Sequence, residues 1–275
     1  MNRFTLINDL LVPAEQASIH VSDLSLQRGY GIFDFFKVIN GNPVFLDNHL
    51  DRFYRSAARM RLQPVIPEDI LRKKIAELIA ANSLKQSGVR ITLTGGYSPD
   101  GYTIGHPNLI VTEQPLNNLP TSIQEQGISL ITFPYQRQLP DVKTIDYLMA
   151  VWLQDKIIEA QSSDVLYHYD DSITECPRAN IFMVTSSNVL ITPANNILKG
   201  VTRNRVLEIA AGEMKVEERD IHKDEIYEAR EVFITSTTKH LMPVKLIDGK
   251  IIGNGTAGET TRSLSKKYNQ IVYGK

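Results

Sequence analysis

Residues 28–52 read RGYGIFDFFKVINGNPVFLDNHLDR, and this stretch sets the fold class. The apolar run 33–39 is short and rich in aromatic and β-branched side chains, which suits a strand. Asn40-Gly41-Asn42-Pro43 has turn chemistry, and Val44-Phe45-Leu46 returns as the second arm of a hairpin. Asp47 then stands where an N-cap belongs, ahead of Leu50, Phe53, Ala57 and Met60 at helical spacing. Pro67-Glu68-Asp69 opens a second helix carrying Ile70, Ile75, Leu78 and Ile79. A hairpin that feeds two helices is not a βαβ unit. Two further strands, 89–94 and 108–112, flank the loop GGYSPDGYTIGHP, whose glycines and prolines suit a mobile loop that carries substrate contacts.

Working outward, residues 114–126 (QPLNNLPTSIQEQ) are polar, aperiodic and contain two prolines. They mark a domain boundary, with an N-terminal α/β domain over 1–117, a linker over 118–126 and a C-terminal domain over 127–275. The second domain reads as strands near 128–133, 164–169, 180–185, 188–192, 231–235 and 243–247. Helices are expected at about 145–160, 202–211 and 258–269, with a turn at Asp248-Gly249. Strands and helices mix without regular βαβ alternation, so the class is α+β.

The chain has 275 residues, enough for two cores, and its 30 basic side chains nearly balance 31 acidic ones. That balance leaves no basic surface for nucleic acid. The single Cys176 excludes an internal disulfide or a cysteine-built metal centre, and reads as a small packing residue. No secretory signal and no run of eighteen apolar residues is present, so a cytoplasmic protein that neither enters nor crosses a membrane is expected. The six histidines are scattered, and neither GxGxxG nor GxxxxGK[ST] occurs, which argues against a metal site and nucleotide chemistry.

Four short segments carry chemistry: LPDVKTIDY at 139–147, TECPRANIF at 174–182, LKGVTR at 198–203 and TSTT at 235–238. A lysine that forms a Schiff base must be available unprotonated, which requires apolar or cation-rich surroundings. Lys143 precedes an apolar helix bearing Ile145, Leu148, Val151 and Trp152, and so is expected to point into a core, with Tyr147 one turn on along the same face. Gly200-Val201-Thr202 opens a helix, whose first amides suit an anion. Ser236, Thr237 and Thr238 add hydroxyls and turn amides, and Arg52 adds a guanidinium suited to phosphate. Taken singly, these residues equally fit a solvated lysine, a hairpin acid, a core tyrosine and polar turns.

Taken together, in this order and at these separations, the segments resemble the fold-type IV, class IV pyridoxal-phosphate aminotransferases. That family includes branched-chain aminotransferases, D-amino acid aminotransferases and aminodeoxychorismate lyases. The resemblance runs from residue 28 to GNGTAGETTRSLSKKY near the C-terminus. It implies a two-domain enzyme with pyridoxal 5′-phosphate as cofactor and Lys143 as the Schiff-base lysine. It also implies Glu175 on the ring nitrogen, Tyr147 on the phenolic oxygen, and Arg52, Val201, Thr202, Thr237 and Thr238 around the phosphate. A homodimer acting on amino acids and 2-oxo acids is expected.

The C-terminal stretches and the RGY at 28–30 look closest to D-amino acid aminotransferases. Those enzymes usually clamp the substrate carboxylate with an arginine and a histidine where this chain has Thr94-Gly95-Gly96-Tyr97. Arg28 and Arg178 are the candidate replacements, with Arg28 supplied by the same or the partner subunit and Tyr30 shaping the pocket. The expected reaction is transamination of D-amino acids with 2-oxoglutarate or pyruvate as acceptor. The alternatives are an L-branched-chain aminotransferase, an aminodeoxychorismate lyase, or a cofactor-binding scaffold that kept the fold.

Overall fold

The apolar run at residues 33–39 forms a strand, but the hairpin behind it is shorter than its turn chemistry suggests. Phe45 adopts a left-handed conformation, φ 54°, which ends the return arm after Asn42–Pro43 and starts the helix at Leu46. Asp47 therefore lies inside the first helical turn rather than at its N-cap, and its carboxylate accepts from Arg72 at 2.6 Å.

The computed structural model describes residues 3–117 and 121–274. The chain divides into two compact units, one comprising the residues up to Asn117 together with Val142–Asp146, the other comprising the rest. Unit 1 begins with β1 (Phe4–Ile7), β2 (Leu10–Pro13) and α1 (Leu24–Arg28). Then come β3 (Gly31–Ile39), β4 (Asn42–Pro43), α2 (Leu46–Arg59) and α3 (Glu68–Asn82). The strands β5 (Gln86–Thr94) and β6 (Leu109–Pro115) complete it. The sheet order is β2-β1-β6-β5-β3-β4, antiparallel throughout. Strand alternation gives β3 two different faces. Ile32, Asp34, Phe36 and Val38 share one; Phe33, Phe35 and Lys37 share the other.

The loop between β5 and β6 is tied at its root by Asp23, the N-cap of α1. Its Oδ2 accepts from Thr94 Oγ1 at 2.7 Å and Asn108 Nδ2 at 2.8 Å. Gly96 in that loop has φ 76°, and a Cβ there would sit 2.0 Å from the His106 carbonyl oxygen, so only glycine fits.

Unit 2 contains α4 (Thr121–Gln126), β7 (Ile128–Pro134), α5 (Leu148–Trp152), α6 (Gln154–Glu159) and β8 (Asp164–Tyr169). The hairpin strands β9 (Ser172–Ile173), β10 (Glu175–Cys176), β11 (Ala179–Val184) and β12 (Leu190–Thr192) follow. Next are α7 (Val201–Ala211), β13 (Val216–Glu218) and β14 (Ile221–His222). β15 (Glu231–Ser236), β16 (His240–Ile247), β17 (Lys250–Ile251) and α8 (Glu259–Tyr273) close the chain. The sheet runs β13-β12-β11-β15-β16-β7-β8-β9-β14, with β10 on β11 and β17 on β16. Parallel pairs at β12/β13, β16/β7 and β7/β8 sit among antiparallel ones, so the mixed α+β reading holds.

Four expectations differ from the structure. Within the expected linker, residues 118–120 lie outside the described residues, and the remainder is helical as α4. The helix expected from 145 begins only at Leu148 and breaks at Leu153, while Lys143–Asp146 is non-helical, with an isolated bridge from Thr144 to Ile32. Its backbone is taken up by β3: Phe33 N donates to the Lys143 carbonyl at 2.9 Å and Ile145 N to the Gly31 carbonyl at 3.1 Å. The segment bearing Lys143, expected in the C-terminal domain, thereby belongs to unit 1. Nor is the following helix a core element, for Leu148, Val151 and Trp152 are 76%, 66% and 60% exposed.

In unit 2, Phe182 and Phe233 face each other across β11 and β15, stacked at 5.0 Å between centroids and fully buried. Ile181, Met183, Val232 and Ile234 alternate with them and join the core cluster on the other face. Phe182→Ala should lower stability by about 3–5 kcal/mol through the cavity it leaves. Chemical denaturation is the measurement; a change below about 1 kcal/mol, on the order of a surface substitution, would mean the stack does not hold the sheet.

Candidate active site

On unit 1, the β3 face turned to α2 carries one carboxylate among Ile32, Phe36 and Val38. Asp34 is fully buried. Its Oδ2 accepts from Arg52 Nε at 2.7 Å and its Oδ1 from Arg52 Nη2 at 2.8 Å, a two-point guanidinium pair. His49 Nδ1 lies 2.7 Å from the same Oδ1. His49 and Arg52 are one helical turn apart on α2, which is what lets both reach Asp34. Burial opposes the charge of Asp34, but the Arg52 and His49 partners outweigh it and hold the carboxyl well below its usual range. Burial also keeps His49 neutral, against the pull of Asp34 and with the help of the Arg52 and Lys143 charges. An acceptor-only carboxylate at Nδ1 fixes the imidazole proton on that nitrogen.

Cationic groups gather around the Phe33 ring. The Lys143 Nζ sits 4.4 Å from the Phe33 ring centroid, and the Arg90 guanidinium carbon sits 3.8 Å from the same centroid. Lys37, two pleats along, is 5% exposed. Burial draws its ammonium down to about 8. The Lys143 backbone is fixed at both ends, its carbonyl accepting from Phe33 N and its N–H donating to Ser56 Oγ at 3.4 Å. Tyr30 donates its hydroxyl to the Met60 carbonyl at 2.7 Å. Arg28, exposed at the end of α1, donates to the Gln27 carbonyl at 2.9 Å.

On unit 2, the registers of β10, β11, β15 and β16 align Glu175, Asn180, Thr235 and Leu241 in one row across the sheet. Glu175 is buried and its Oε1 accepts from Arg137 Nε at 2.9 Å and Nη2 at 2.8 Å. Its Oε2 accepts from Leu198 N at 3.1 Å and, at a long 3.4 Å, from Asn180 Nδ2. Asn180 also donates to the Leu198 carbonyl at 2.7 Å, so one side chain ties the row to the 198–200 turn. A Cβ on Gly200 would fall 2.3 Å from Asn180 Oδ1, which demands glycine there. Gly200 supplies no side-chain cap, so the Val201 and Thr202 amides open α7 without intrahelical partners. The turn after β15 carries Thr237 and Thr238, with Lys239 N donating to Ser236 Oγ at 3.1 Å.

A ring-nitrogen cofactor with a phosphate tail fits this donor set. The buried Thr235 hydroxyl, in the same row as Glu175, has no hydrogen-bond partner among the described residues. Glu175 Oε2 accepts from Leu198 N at 3.1 Å, and uncapped amides head α7. Among the described residues no cluster of three or more histidine, cysteine or acidic groups is placed for a metal. No helix there is long and apolar enough to cross a membrane.

The sequence model of the class IV amino-transferases matches residues 31–247. This chain is a class IV aminotransferase. It is 30% identical over 265 residues to a D-alanine aminotransferase of Bacillus licheniformis, covering 94% of this chain and 93% of that protein. It is also 30% identical over 280 residues to a putative branched-chain-amino-acid aminotransferase of Methanocaldococcus jannaschii, covering 96% and 95%. A T.th. branched-chain amino acid aminotransferase with pyridoxamine 5′-phosphate shares the fold at TM-score 0.92 and 24% identity, covering 100% of this chain and 95% of that one. So does a hypothetical aminotransferase from Mycobacterium tuberculosis in its pyridoxal-phosphate-bound form, at TM-score 0.83 and 19% identity, covering 98% and 99%. The cofactor of this aminotransferase is pyridoxal 5′-phosphate.

The structure revises several arguments made for single residues. Tyr147 does not share a helical face with Lys143, because the intervening residues are not helical and Tyr147 only flanks α5 at φ −126°, ψ 21°. Arg52 is not a free helix-surface arginine but half of a buried pair. Arg178 occupies the two-residue turn between β10 and β11 and is exposed. Cys176 is buried and burial pushes its thiol up, as suits packing. Asp34, His49, Arg90, Arg137, Asn180 and Thr235 escaped the sequence reading. Only Asp34 had left a signal, a lone carboxylate inside an apolar strand.

Because the folded Lys37 loses its proton near 8 and an unfolded lysine near about 10.4, the unfolded chain binds more protons between these values. Stability of the ligand-free protein should therefore rise with pH across that window, and Lys37→Met should flatten the rise. Urea unfolding at several alkaline pH values measures it; a wild-type slope that survives the substitution would assign it elsewhere.

Proposed function

We propose that this aminotransferase acts on D-amino acids, passing the amino group to 2-oxoglutarate or pyruvate. Similarity to D-alanine aminotransferases along nearly the whole chain carries this reading. Ser236-Thr237-Thr238 supports it, standing where branched-chain enzymes typically have a glycine-threonine-alanine loop. The second reading, an L-branched-chain aminotransferase, is favoured by the equally identical archaeal relative.

In this mechanism Lys143 would hold the cofactor, and its Nζ would serve as the base that takes a proton from the substrate Cα and the acid that returns it. When bound, pyridoxal phosphate supplies the electron sink that stabilises the carbanion at Cα. Glu175, ion-paired through Oε1 with Arg137, would keep the ring nitrogen protonated. Tyr147 addresses the phenolic oxygen. Arg52, Val201, Thr202, Thr237 and Thr238 would hold the phosphate. Arg28 and Arg178 bind the substrate carboxylate, with Tyr30 shaping the pocket. Both arginines are exposed in the single chain, which is consistent with a pocket completed by a partner subunit.

The homodimer this requires is supported by the exposed apolar face of α5, since a soluble monomer rarely leaves Leu148, Val151 and Trp152 uncovered together. The protein is taken to work in the cytoplasm.

Half-reactions with single amino acids, followed by absorbance of the bound cofactor, should show conversion by D-alanine or D-glutamate and none by L-leucine. Turnover of L-leucine alone would establish the second reading. Arg178→Ala should raise KM for the amino donor at least about tenfold with little change in cofactor retention, as loss of one charge-assisted contact predicts. An unaltered KM would remove Arg178 from the carboxylate site. Trp152→Glu should convert a dimer to monomers in sedimentation; a dimer that persists would place the interface elsewhere.

A further inference from the structure

We propose that Asp34 is a positioning residue for the cofactor phosphate, acting through Arg52. The inference rests on the reading of Arg52 as a phosphate ligand and adds what orients it. Asp34 takes Nε and Nη2 of the guanidinium, so Nη1 is the terminal nitrogen outside the pair. An unpaired arginine has several rotatable bonds to order before it can present a donor. The pair removes that freedom in advance. His49 completes the clamp: its Nδ1 bonds the same Oδ1 that receives Nη2, so the carboxylate is held from two sides and cannot swing away.

Two effects of Asp34 on phosphate oppose each other. Its negative charge offsets that of Arg52 and so weakens long-range attraction for an anion. Its geometry fixes a donor, and a hydrogen bond weakens steeply once the donor turns off line. Asp34, Arg52 and His49 are each more than nine-tenths buried. In such surroundings, removing the carboxylate strands a buried guanidinium, which then relaxes toward other acceptors or water. Orientation therefore outweighs net charge, and neutralising Asp34 loosens the phosphate rather than tightening it.

The test compares pyridoxal 5′-phosphate with pyridoxal, which lacks the phosphate. Dissociation constants for both are measured by absorbance titration on the wild type, Asp34→Asn, Arg52→Ala and Arg52→Lys. Asp34→Asn and Arg52→Ala should each shrink the preference for the phosphorylated form at least about tenfold, the scale of one charge-assisted bond, while pyridoxal binding holds steady. A preference unaffected by Arg52→Ala would overturn the phosphate reading of Arg52 itself. If Arg52→Ala shrinks the preference but Asp34→Asn leaves or raises it, or weakens both ligands alike, Asp34 does not position the phosphate donor. Should Asp34→Asn fail to fold, Arg52→Lys decides the matter, since it keeps the charge and loses the fork. A wild-type preference in that variant overturns the proposal, and a reduced one upholds it.

Discussion

Two backbone hydrogen bonds, from Phe33 N to the Lys143 carbonyl and from Ile145 N to the Gly31 carbonyl, draw five residues of the second half of the chain onto the first strand of the site. Everything proposed for Lys143 depends on them. A lysine on a helix surface would sample many positions at little cost, whereas one whose carbonyl and amide are both committed to neighbours has only its own side chain left to move. The β-branched Thr144 and Ile145 suit that non-helical course. Helix formation is accordingly delayed to Leu148, and the apolar residues of α5 are left exposed for other use.

The same strand organises a second layer by alternation. One face of β3 carries Phe33, with Lys143 and Arg90 over its ring; the other carries Asp34, with Arg52 and His49 on α2. Unit 2 solves a comparable problem by register, setting Glu175, Asn180 and Thr235 in one row and tying that row through Asn180 to the turn that opens α7.

The family was legible because its characteristic residues stand in short segments with distinctive neighbours. LPDVKTIDY, TECPRANIF, LKGVTR and TSTT kept their order and carried the family with them. What escaped were side chains whose role arises only by pairing across the chain. Arg137 meets Glu175 from 38 residues away, and Asp34 meets Arg52 from 18. Neither spacing has a local period, so no window of sequence registers it. The helical reading of 145–160 failed for a related reason: an apolar spacing cannot tell whether strand pairing will claim its first residues.

By itself the sequence determined the α+β class, most of the longer strands and helices, and the short motifs that mark the family. Those follow from periodicity, turn chemistry and short motifs, all of which act over a few residues. The tertiary structure decided which partners the charged groups took, which unit held the lysine segment, and that Arg52 is a buried, oriented donor rather than a surface one. Those outcomes depend on burial. Only when the chain closes over Asp34 does an unpaired charge become costly enough to fix its partners.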